Sequence, residues 1–315
     1  MCRVLLTGSS GFIGPTVARR LIESGHEVFA AGRTPPPADA NLARWIRVAD
    51  QHASTDWREA LVDVEVVVHL AGHAHAASNT EESRRLIHSV NVDGTEQLGR
   101  CAAAARVRRF IFLSSIKVHG EETGAKPFSP GDLLRPADPY GDSKALAESC
   151  LKALATDSGM ELVVIRPPLV IGSRSKANLA RLEQLVRSAL PLPFGSIHNT
   201  RSLLSIDNLA DLIALCVEHP RATVAPLLAA DADAPSTPQL IHWIANAMGR
   251  PARLFPCPPG VLEALARPLG LGKMMRRLTR SLAVDTSATT ALTGWMPART
   301  TLDTLRAAYS GLRPA

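Results

Sequence analysis

Two side chains four residues apart, Tyr140 and Lys144, have the chemistry of a proton-transfer pair. On a helix, residues at this spacing share one face. A free phenol has a pKa of about 10, which is too high for proton transfer at neutral pH, and a nearby ammonium group stabilises the phenolate and lowers that pKa. The Tyr-x-x-x-Lys pattern alone is frequent by chance, so its meaning depends on what accompanies it.

Two hydroxyl groups accompany the pair. Ser114 and Ser115 come at and just after the apolar segment Arg109–Ser114, which is predicted to be a buried strand. Ligands of an open parallel sheet bind at the carboxyl ends of its strands. We therefore expect one of these hydroxyls to hydrogen-bond a substrate oxygen.

A glycine-rich turn near the start of the chain predicts a nucleotide site. Gly8, Gly11 and Gly14 follow a strand and open a helix, in a Gly-x-x-Gly-x-x-Gly spacing. Gly8 permits a tight turn, Gly11 lets the backbone approach a pyrophosphate, and Gly14 allows close packing of helix on strand. The unpaired N–H groups of the helix amino end then bind the phosphates. A turn that merely needs glycines is the less favoured alternative in this context.

The end of the second strand bears on the choice between NAD and NADP. An acidic residue there binds the ribose 2′-hydroxyl of NAD, whereas an arginine accommodates the 2′-phosphate of NADP. The chain has Arg33 at this point and no carboxylate. This favours NADP over NAD, although a solvated loop arginine is the alternative.

The first half of the chain alternates strand-like and helix-like segments, which predicts a Rossmann-type α/β fold with a doubly wound parallel sheet. The predicted strands are Arg3–Thr7, Glu27–Ala31, Val64–Leu70, Arg109–Ser114 and Glu161–Arg166, and the predicted helices are Ile13–Ser24, Ser83–Ala105 and Lys144–Thr156. After residue 167, prolines and glycines recur among short helices. We therefore expect a dinucleotide-binding domain over 1–167 and a smaller, irregular substrate-binding lobe over 168–315, interleaved in space.

Composition narrows the class of protein. The apolar fraction of 46% and the charged fraction of 20% are ordinary for a soluble globular protein. The 4% of aromatic residues and the lack of aromatic-interleaved basic tracts disfavour nucleic acid as a partner. Five scattered cysteines, no signal peptide and no membrane-length apolar run indicate a reduced, cytoplasmic protein.

The glycine turn, Ser115, Tyr140 with Lys144, and the segment Asn91–Thr95 together resemble an extended short-chain dehydrogenase/reductase. More narrowly, the chain is similar to nucleotide-sugar epimerases and 4-ketoreductases from residue 3 to about 309. The resemblance implies a nicotinamide nucleotide in the first lobe and a UDP-sugar in the second. It also implies a homodimer, by analogy with many relatives.

The resemblance assigns roles residue by residue. Tyr140 becomes the acid/base, Lys144 the residue that tunes its pKa and contacts the ribose, and Ser115 the partner of the sugar oxygen. The residues it places at the dinucleotide, with Asp50 at the adenine, are Gly8, Ser10, Gly11, Phe12, Ile13, Gly14, Arg33, Asp50, Gln51, Leu70, Ala71, Gly72, Asn91, Lys144 and Pro167. The residues it places at the substrate are Ser115, His119, Asn178, which resembles an asparagine at the UDP moiety, and Arg201, which resembles a diphosphate-binding arginine.

Departures from the family pattern narrow the reaction. Family dehydratases carry an Asp-Glu pair where this chain has Ile116 and Lys117, so dehydration is disfavoured. The segment 113–121 looks most like enzymes that reduce UDP-4-keto-6-deoxy-N-acetylhexosamines for surface polysaccharide synthesis, and Arg33 agrees with exchangeable NADPH. The alternative is a UDP-sugar 4-epimerase acting on UDP-glucose or UDP-GlcNAc. A non-catalytic NAD(P)-sensing protein is the minority alternative.

Two further features are weighed against simpler explanations. His69, His73 and His75 have a metal-like spacing, but no carboxylate or thiol nearby completes a ligand set, so we predict no metal site. The basic amphipathic segment 271–282 is predicted to be a packed helix with a solvated basic face, in preference to a helix lying on an anionic membrane.

Overall fold

A seven-stranded parallel sheet organises most of the chain in the computed structural model, which describes residues 1–35, 40–73, 80–173 and 178–309. The strands lie side by side in the order β3-β2-β1-β4-β5-β6-β9, and every pairing is parallel. From β1 the chain first adds strands on one side, β2 and β3, and then adds the others on the opposite side. The strands are β1 (Arg3–Thr7), β2 (Glu27–Gly32), β3 (Arg44–Arg47), β4 (Val66–His69), β5 (Arg109–Leu113), β6 (Glu161–Arg166), β7 (Leu169–Ile171), β8 (Leu203–Ser205) and β9 (Leu227–Leu228). This confirms the predicted Rossmann-type α/β fold.

Eleven α-helices occur in the described part of the chain. They are α1 (Gly14–Glu23), α2 (Glu81–His88), α3 (Gly94–Ala104), α4 (Pro139–Ser158), α5 (Asn178–Arg187), α6 (Ile206–Glu218), α7 (Thr237–Ala247), α8 (Pro259–Ala266), α9 (Gly272–Thr279), α10 (Ser287–Thr293) and α11 (Thr301–Tyr309). A π-helical turn, Ser89–Asp93, joins α2 to α3, and a 3₁₀ turn, Ile116–Val118, follows β5.

Apolar side chains cover both faces of the sheet. Successive residues of a strand point to opposite faces, so a strand buried on both sides is apolar throughout. Buried apolar side chains form two clusters at this sheet. The β4 residues Val66, Val67 and Val68 are fully buried; Val66 and Val68 belong to one cluster and Val67 to the other. One cluster includes residues of α1 and α6, and the other includes residues of α3 and α4. The helices therefore hold the central strands, and with them the strand ends, in fixed positions.

A second cluster of elements lies at the C-terminal side of the chain. β7 and β8 form a two-stranded parallel sheet, and residues of α5, α7 and α11 share a separate core with Phe194 and Ile197. β9 lies beyond residue 168 yet pairs with β6, so the main sheet takes a strand from the second segment of the chain. The bridge from Phe128 to Val284 joins the two segments, whereas the bridge from Arg201 to Leu282 lies within the second.

Candidate active site

The turn after β1 has the geometry of a phosphate-binding loop. Gly8 has a φ of +74°, and its carbonyl accepts a hydrogen bond from Gly11 N–H at 3.0 Å. A Cβ on Gly14 would lie 2.3 Å from Gly8 O and 2.5 Å from Ser9 Cα. Ile13, the residue at the N-cap of α1, makes no side-chain cap hydrogen bond, and the first turn carries no acidic residue. The backbone N–H groups in the first turn of α1 are therefore suited to bind an anionic ligand.

We expect Gly14→Ala to abolish nucleotide binding, because the new methyl group would meet backbone atoms that cannot move aside. The rise in unfolding temperature on adding nucleotide measures the binding. Without nucleotide, the unfolding temperature of Gly14→Ala should also be lower than that of the wild-type protein. Gly260→Ala is the matched control, since a Cβ there meets no atom within 4 Å. If Gly14→Ala bound nucleotide as tightly as the control variant, the close approach would not matter for the loop.

The proton-transfer pair lies at the carboxyl end of β5. Asp138 caps α4 by accepting from Gly141 N–H at 2.7 Å, which starts the helix in time to place Tyr140 in its first turn. Lys144, one turn later, is 3% exposed, and its Nζ donates to Leu113 O at 3.0 Å. The Ser115 hydroxyl lies close enough to the Tyr140 phenol to lower its pKa. The strand end, the hydroxyl, the phenol and the ammonium thus converge.

The pKa of Tyr140 differs from the sequence-based expectation. Burial raises the pKa of the phenol to about 12, the Asp138 carboxylate adds to this, and the Ser115 hydroxyl opposes it. Burial lowers the pKa of Lys144 to about 8, while the Glu148 carboxylate opposes that shift. Desolvation of the phenol therefore dominates its pKa, and Lys144 is not among the groups that shift it.

Asn91, Gly72 and Lys144 line one wall of the same site. Asn91 is fully buried in the π-helical turn, where its Oδ1 accepts from His73 N–H at 2.7 Å and its Nδ2 donates to Ser143 Oγ at 2.9 Å. A Cβ on Gly72 would lie 3.2 Å from Asn91 Oδ1 and 3.3 Å from Lys144 Nζ. Gly72 therefore keeps the space beside the Lys144 ammonium open.

The other residues predicted at the dinucleotide follow strand ends along the same edge of the sheet. Leu70 and Ala71 follow β4, and Pro167 follows β6, where its carbonyl accepts from Ile116 N–H at 2.9 Å. Gln51 follows β3 and donates to Val90 O at 3.2 Å. Arg33 and Asp50 are exposed, whereas Ser10, Phe12 and Ile13 belong to the glycine turn.

The predicted substrate residues differ in their surroundings. His119 is 3% exposed, stacks on Phe128 with ring centroids 5.3 Å apart, and accepts from Arg166 Nη1 at 3.0 Å, so its contacts are those of a packed side chain. Arg201 is half-buried, and its Nη1 donates to Arg280 O at 3.3 Å. α5 begins at Asn178, whose side chain lies outside the described part of the structure.

A second arginine lies beside Arg201 and was not singled out from the sequence for substrate binding. Burial lowers the pKa of Arg201 to about 10, and the positive charge of Arg277 on α9 adds to this. Arg277 Nη2 lies 2.5 Å from Glu121 Oε1, and Glu121 in turn lies 3.2 Å from Lys117 Nζ. Two neighbouring guanidinium groups favour an anionic ligand. No local pattern reveals the pairing, because the two residues meet only in the fold.

The basic segment around α9 packs against the rest of the protein. Arg276 pairs with Glu122 at 2.7 Å, and Met275 and Leu278 contact the C-terminal core. The described helices include none that is both long enough and apolar enough to cross a bilayer. These contacts agree with the packed-helix interpretation of the segment.

One group of potential metal ligands occurs within the described residues, and it lies far from Tyr140. Cys2, His26 and Glu218 place ligand atoms within 4.8 Å of one another at the amino ends of the strands. Arg108 Nη2 lies 3.9 Å from Cys2 Sγ, and the N-terminal ammonium lies 3.6 Å from Glu218. Cations of the protein thus already neighbour these groups.

Of the three histidines with metal-like spacing in the sequence, His69, His73 and His75, the last falls outside the described residues.

Comparisons with known proteins agree with this geometry. Residues 4–227 match the NAD dependent epimerase/dehydratase family. The chain is 42% identical over 301 residues to a UDP-glucose 4-epimerase of Vibrio cholerae, which covers 94% of this chain and 91% of that protein. It also superposes on the UDP-glucuronic acid 4-epimerase of Bacillus cereus in complex with NAD, with a TM-score of 0.79 and 22% identity over 98% of this chain and 96% of the other. A Thermus thermophilus UDP-glucose 4-epimerase in complex with NAD gives a TM-score of 0.77 and 21% identity over 99% of each chain.

Proposed function

The chain belongs to the NAD dependent epimerase/dehydratase family, and we propose that it is a UDP-sugar 4-epimerase that moves a hydride to and from C4 of a UDP-linked hexose. The observation that carries the proposal is the convergence of Ser115, Tyr140 and Lys144 at the end of β5, on the same sheet edge as the glycine turn. The name of the Vibrio cholerae relative supports the substrate class.

The residues present fit a nicotinamide dinucleotide. The glycine turn leaves no room for a Cβ at Gly14, and the amino end of α1 offers backbone N–H groups to the phosphates. The missing side chain of Gly72 leaves space beside the Lys144 ammonium. Gly8, Gly11 and Gly14 would hold the pyrophosphate, and Lys144 and Asn91 would face the nicotinamide side. When bound, the dinucleotide supplies the acceptor and donor of the hydride.

Tyr140 and Ser115 would handle the proton of the sugar O4 hydroxyl. Ser115 hydrogen-bonds O4 and fixes it against the phenol, and Tyr140 takes the O4 proton when C4 is oxidised and returns it when C4 is reduced. The high pKa of Tyr140 requires positive charge nearby for the first of these steps. The protein ammonium groups nearby are Lys144, one helical turn away, and Lys117, whose Nζ lies 5.8 Å from the centroid of the Tyr140 ring. We assign this role to Lys144, because Lys117 is already paired with Asp138.

Arg201 and Arg277 would bind the diphosphate of the substrate. We expect Arg201→Ala and Arg277→Ala each to raise KM for the UDP-sugar about 10- to 100-fold with a smaller effect on kcat, because each removes one charge-assisted contact remote from C4. Arg276→Ala is the control, since Arg276 lies on the same helix and pairs with Glu122 instead. An unchanged KM in both variants would exclude this anion site.

A second candidate is the reduction of a UDP-4-keto-6-deoxy-N-acetylhexosamine with NADPH, for surface polysaccharide synthesis. Arg33 favours it, because this exposed cation follows β2 where NAD-binding proteins place a carboxylate. The neutral form of Tyr140 also suits it, since a reductase needs the phenol as a proton donor.

The Arg33→Ala variant is expected to bind NADPH about tenfold or more weakly, with NADH affinity little changed, because only the 2′-phosphate requires the guanidinium group. Nucleotide titration of the purified variant measures both affinities. Equal effects on the two nucleotides, or none, would remove the argument for NADP.

One assay separates the candidates. UDP-glucose or UDP-GlcNAc incubated without added nucleotide should yield the C4 epimer if the protein is an epimerase. Stoichiometric oxidation of NADPH with the 4-keto sugar would instead identify the reductase. Tight nucleotide binding without turnover of either substrate would point to the third alternative, a non-catalytic nucleotide-sensing protein.

A further inference from the structure

A buried ion pair behind Lys144 has no part in the mechanism above. Glu148, one helical turn beyond Lys144 on α4, is 7% exposed, and Arg166 at the end of β6 is 5% exposed. Arg166 Nε donates to Glu148 Oε1 at 3.0 Å, and Arg166 Nη2 donates to Oε2 at 2.5 Å. Ser114 Oγ also donates to Oε1. Such a pair adds little stability compared with apolar residues of similar size, so its location calls for another explanation.

Lys144 and Glu148 bind consecutive residues at the end of β5. Lys144 Nζ donates to Leu113 O at 3.0 Å, and Glu148 accepts from Ser114. The next residue is Ser115, whose hydroxyl lowers the pKa of the Tyr140 phenol. The two contacts, one helical turn apart, therefore fix the α4 face that carries the phenol and the ammonium against the strand end that carries the serine.

The charges around this face come from several elements. From β4, the buried His69 faces Lys144, and burial lowers the pKa of that imidazole to about 3, so it is neutral at physiological pH. From the N-cap of α4, Asp138 faces Tyr140 and is paired with Lys117 from the 3₁₀ turn. On the far side, Arg166 also contacts His119, whose pKa is lowered mainly by burial.

Glu148 is the carboxylate that acts on the charge of Lys144. It opposes the effect of burial and raises the pKa of the ammonium group, and the same carboxylate is paired with Arg166. The protonation of Lys144 therefore depends on the negative charge of Glu148 and on the positive charge of Arg166 that partly neutralises it.

We propose that Glu148 is a positioning residue of the reaction: it keeps the ammonium charge on Lys144 and holds α4 against the end of β5, and Arg166 limits how much of its negative charge reaches Lys144. The inference rests on the proposed function for its effect on turnover. Its electrostatic part concerns the protein alone and is testable without a substrate.

Lys144 itself can be titrated, because the sequence has only six lysines. With isotopically labelled lysine, the NMR signal of the Lys144 Cε reports its protonation, and Lys144→Met assigns the signal. Glu148→Gln removes a negative charge and should lower the pKa of Lys144 by about half a unit to one unit. Arg166→Gln removes a positive charge and should raise it by a similar amount.

The double variant Glu148→Gln with Arg166→Gln should return the pKa of Lys144 to near its wild-type value. Asp157→Asn is the control, since it removes a negative charge from the exposed far end of the same helix and should leave the titration unchanged. Ser114→Ala is a milder variant for the case that the buried substitutions prevent folding; loss of a donor to Glu148 should raise the pKa of Lys144 slightly. The sign of the shift in any variant that folds tests the proposal.

The alkaline limb of kcat/KM should move in the same directions as the titration. Loss of packing alone would lower activity without moving that limb in opposite directions for Glu148→Gln and Arg166→Gln. Unmoved titrations, or shifts of the same sign in both single variants, would overturn the proposal. If the titrations shift as expected but no UDP-sugar is turned over, the proposed function fails while the coupling of Glu148 to Lys144 stands.

Discussion

Tyr140→Phe is expected to lower kcat for the UDP-sugar by about 10²- to 10⁴-fold, which is the usual contribution of a positioned acid/base. The substitution removes only the hydroxyl that would exchange a proton with O4, and the ring can stay in place above the start of α4. KM for the UDP-sugar and the affinity for the nucleotide should change little, because the groups proposed to bind them are elsewhere.

The sequence offers a matched control, since its other tyrosine is Tyr309. Tyr309 is 4% exposed in the C-terminal core, and burial raises its pKa strongly. Tyr309→Phe should therefore affect stability more than turnover. Steady-state kinetics on both variants, with thermal unfolding as a check of folding, measures the difference. If Tyr140→Phe kept more than about a tenth of the wild-type kcat, another group would have to serve as the acid/base.

Lys144→Met is expected to lower kcat by a comparable factor and to remove the alkaline limb of the pH profile. The pKa of Lys144 is lowered to about 8, so its ammonium is present below that pH and is lost as the pH rises through it. Wild-type activity that depends on this charge should fall above pH 8. The Met side chain keeps much of the volume and carries no charge.

The buried ammonium also has a stability consequence with a definite sign. Because the pKa of Lys144 is lower in the folded protein than in the unfolded chain, burial of the charge disfavours folding below about pH 8, and this penalty disappears as the pH rises. Unfolding measurements should thus show no loss of stability in Lys144→Met at pH 7 from removal of the charge.

The pH profile of activity has a contradicting outcome of its own. If Lys144→Met retained the wild-type alkaline limb of that profile, Lys144 would be excluded as the origin of the limb.

The order of the main elements could be predicted from the sequence because the strands are unbroken apolar runs with β-branched residues. β3 was missed, since its four residues, Arg44–Arg47, begin and end with arginine and only one of them is buried. The long helix predicted over Ser83–Ala105 is interrupted by the π-helical turn at 89–93, where Asn91 is turned inward to bind His73 and Ser143.

The candidate site could be predicted as far as its local motifs reach. The glycine turn and the Tyr140–Lys144 pair lie within short stretches of sequence, so spacing alone predicts their geometry. The Arg201–Arg277 pair and the contact of Glu148 with Arg166 join distant segments, and no local pattern contains them. The raised pKa of Tyr140 was also beyond reach, because it depends on burial. The predicted domain boundary, the homodimer and the roles of the individual site residues stay predictions.

The most direct test of hydride transfer at C4 uses UDP-glucose and UDP-GlcNAc deuterated at C4, incubated with the purified protein without added nucleotide. We expect formation of the C4 epimer with deuterium retained at C4, seen by NMR, and formation slower by about 10²- to 10⁴-fold in Tyr140→Phe. Retention excludes a mechanism in which the C4 hydrogen leaves as a proton and exchanges with solvent, and it is the result that a hydride held within the protein produces. Loss of deuterium to solvent, or no reaction with these sugars and none with NADPH and a UDP-4-keto sugar, would contradict hydride transfer at C4 as the activity of this protein.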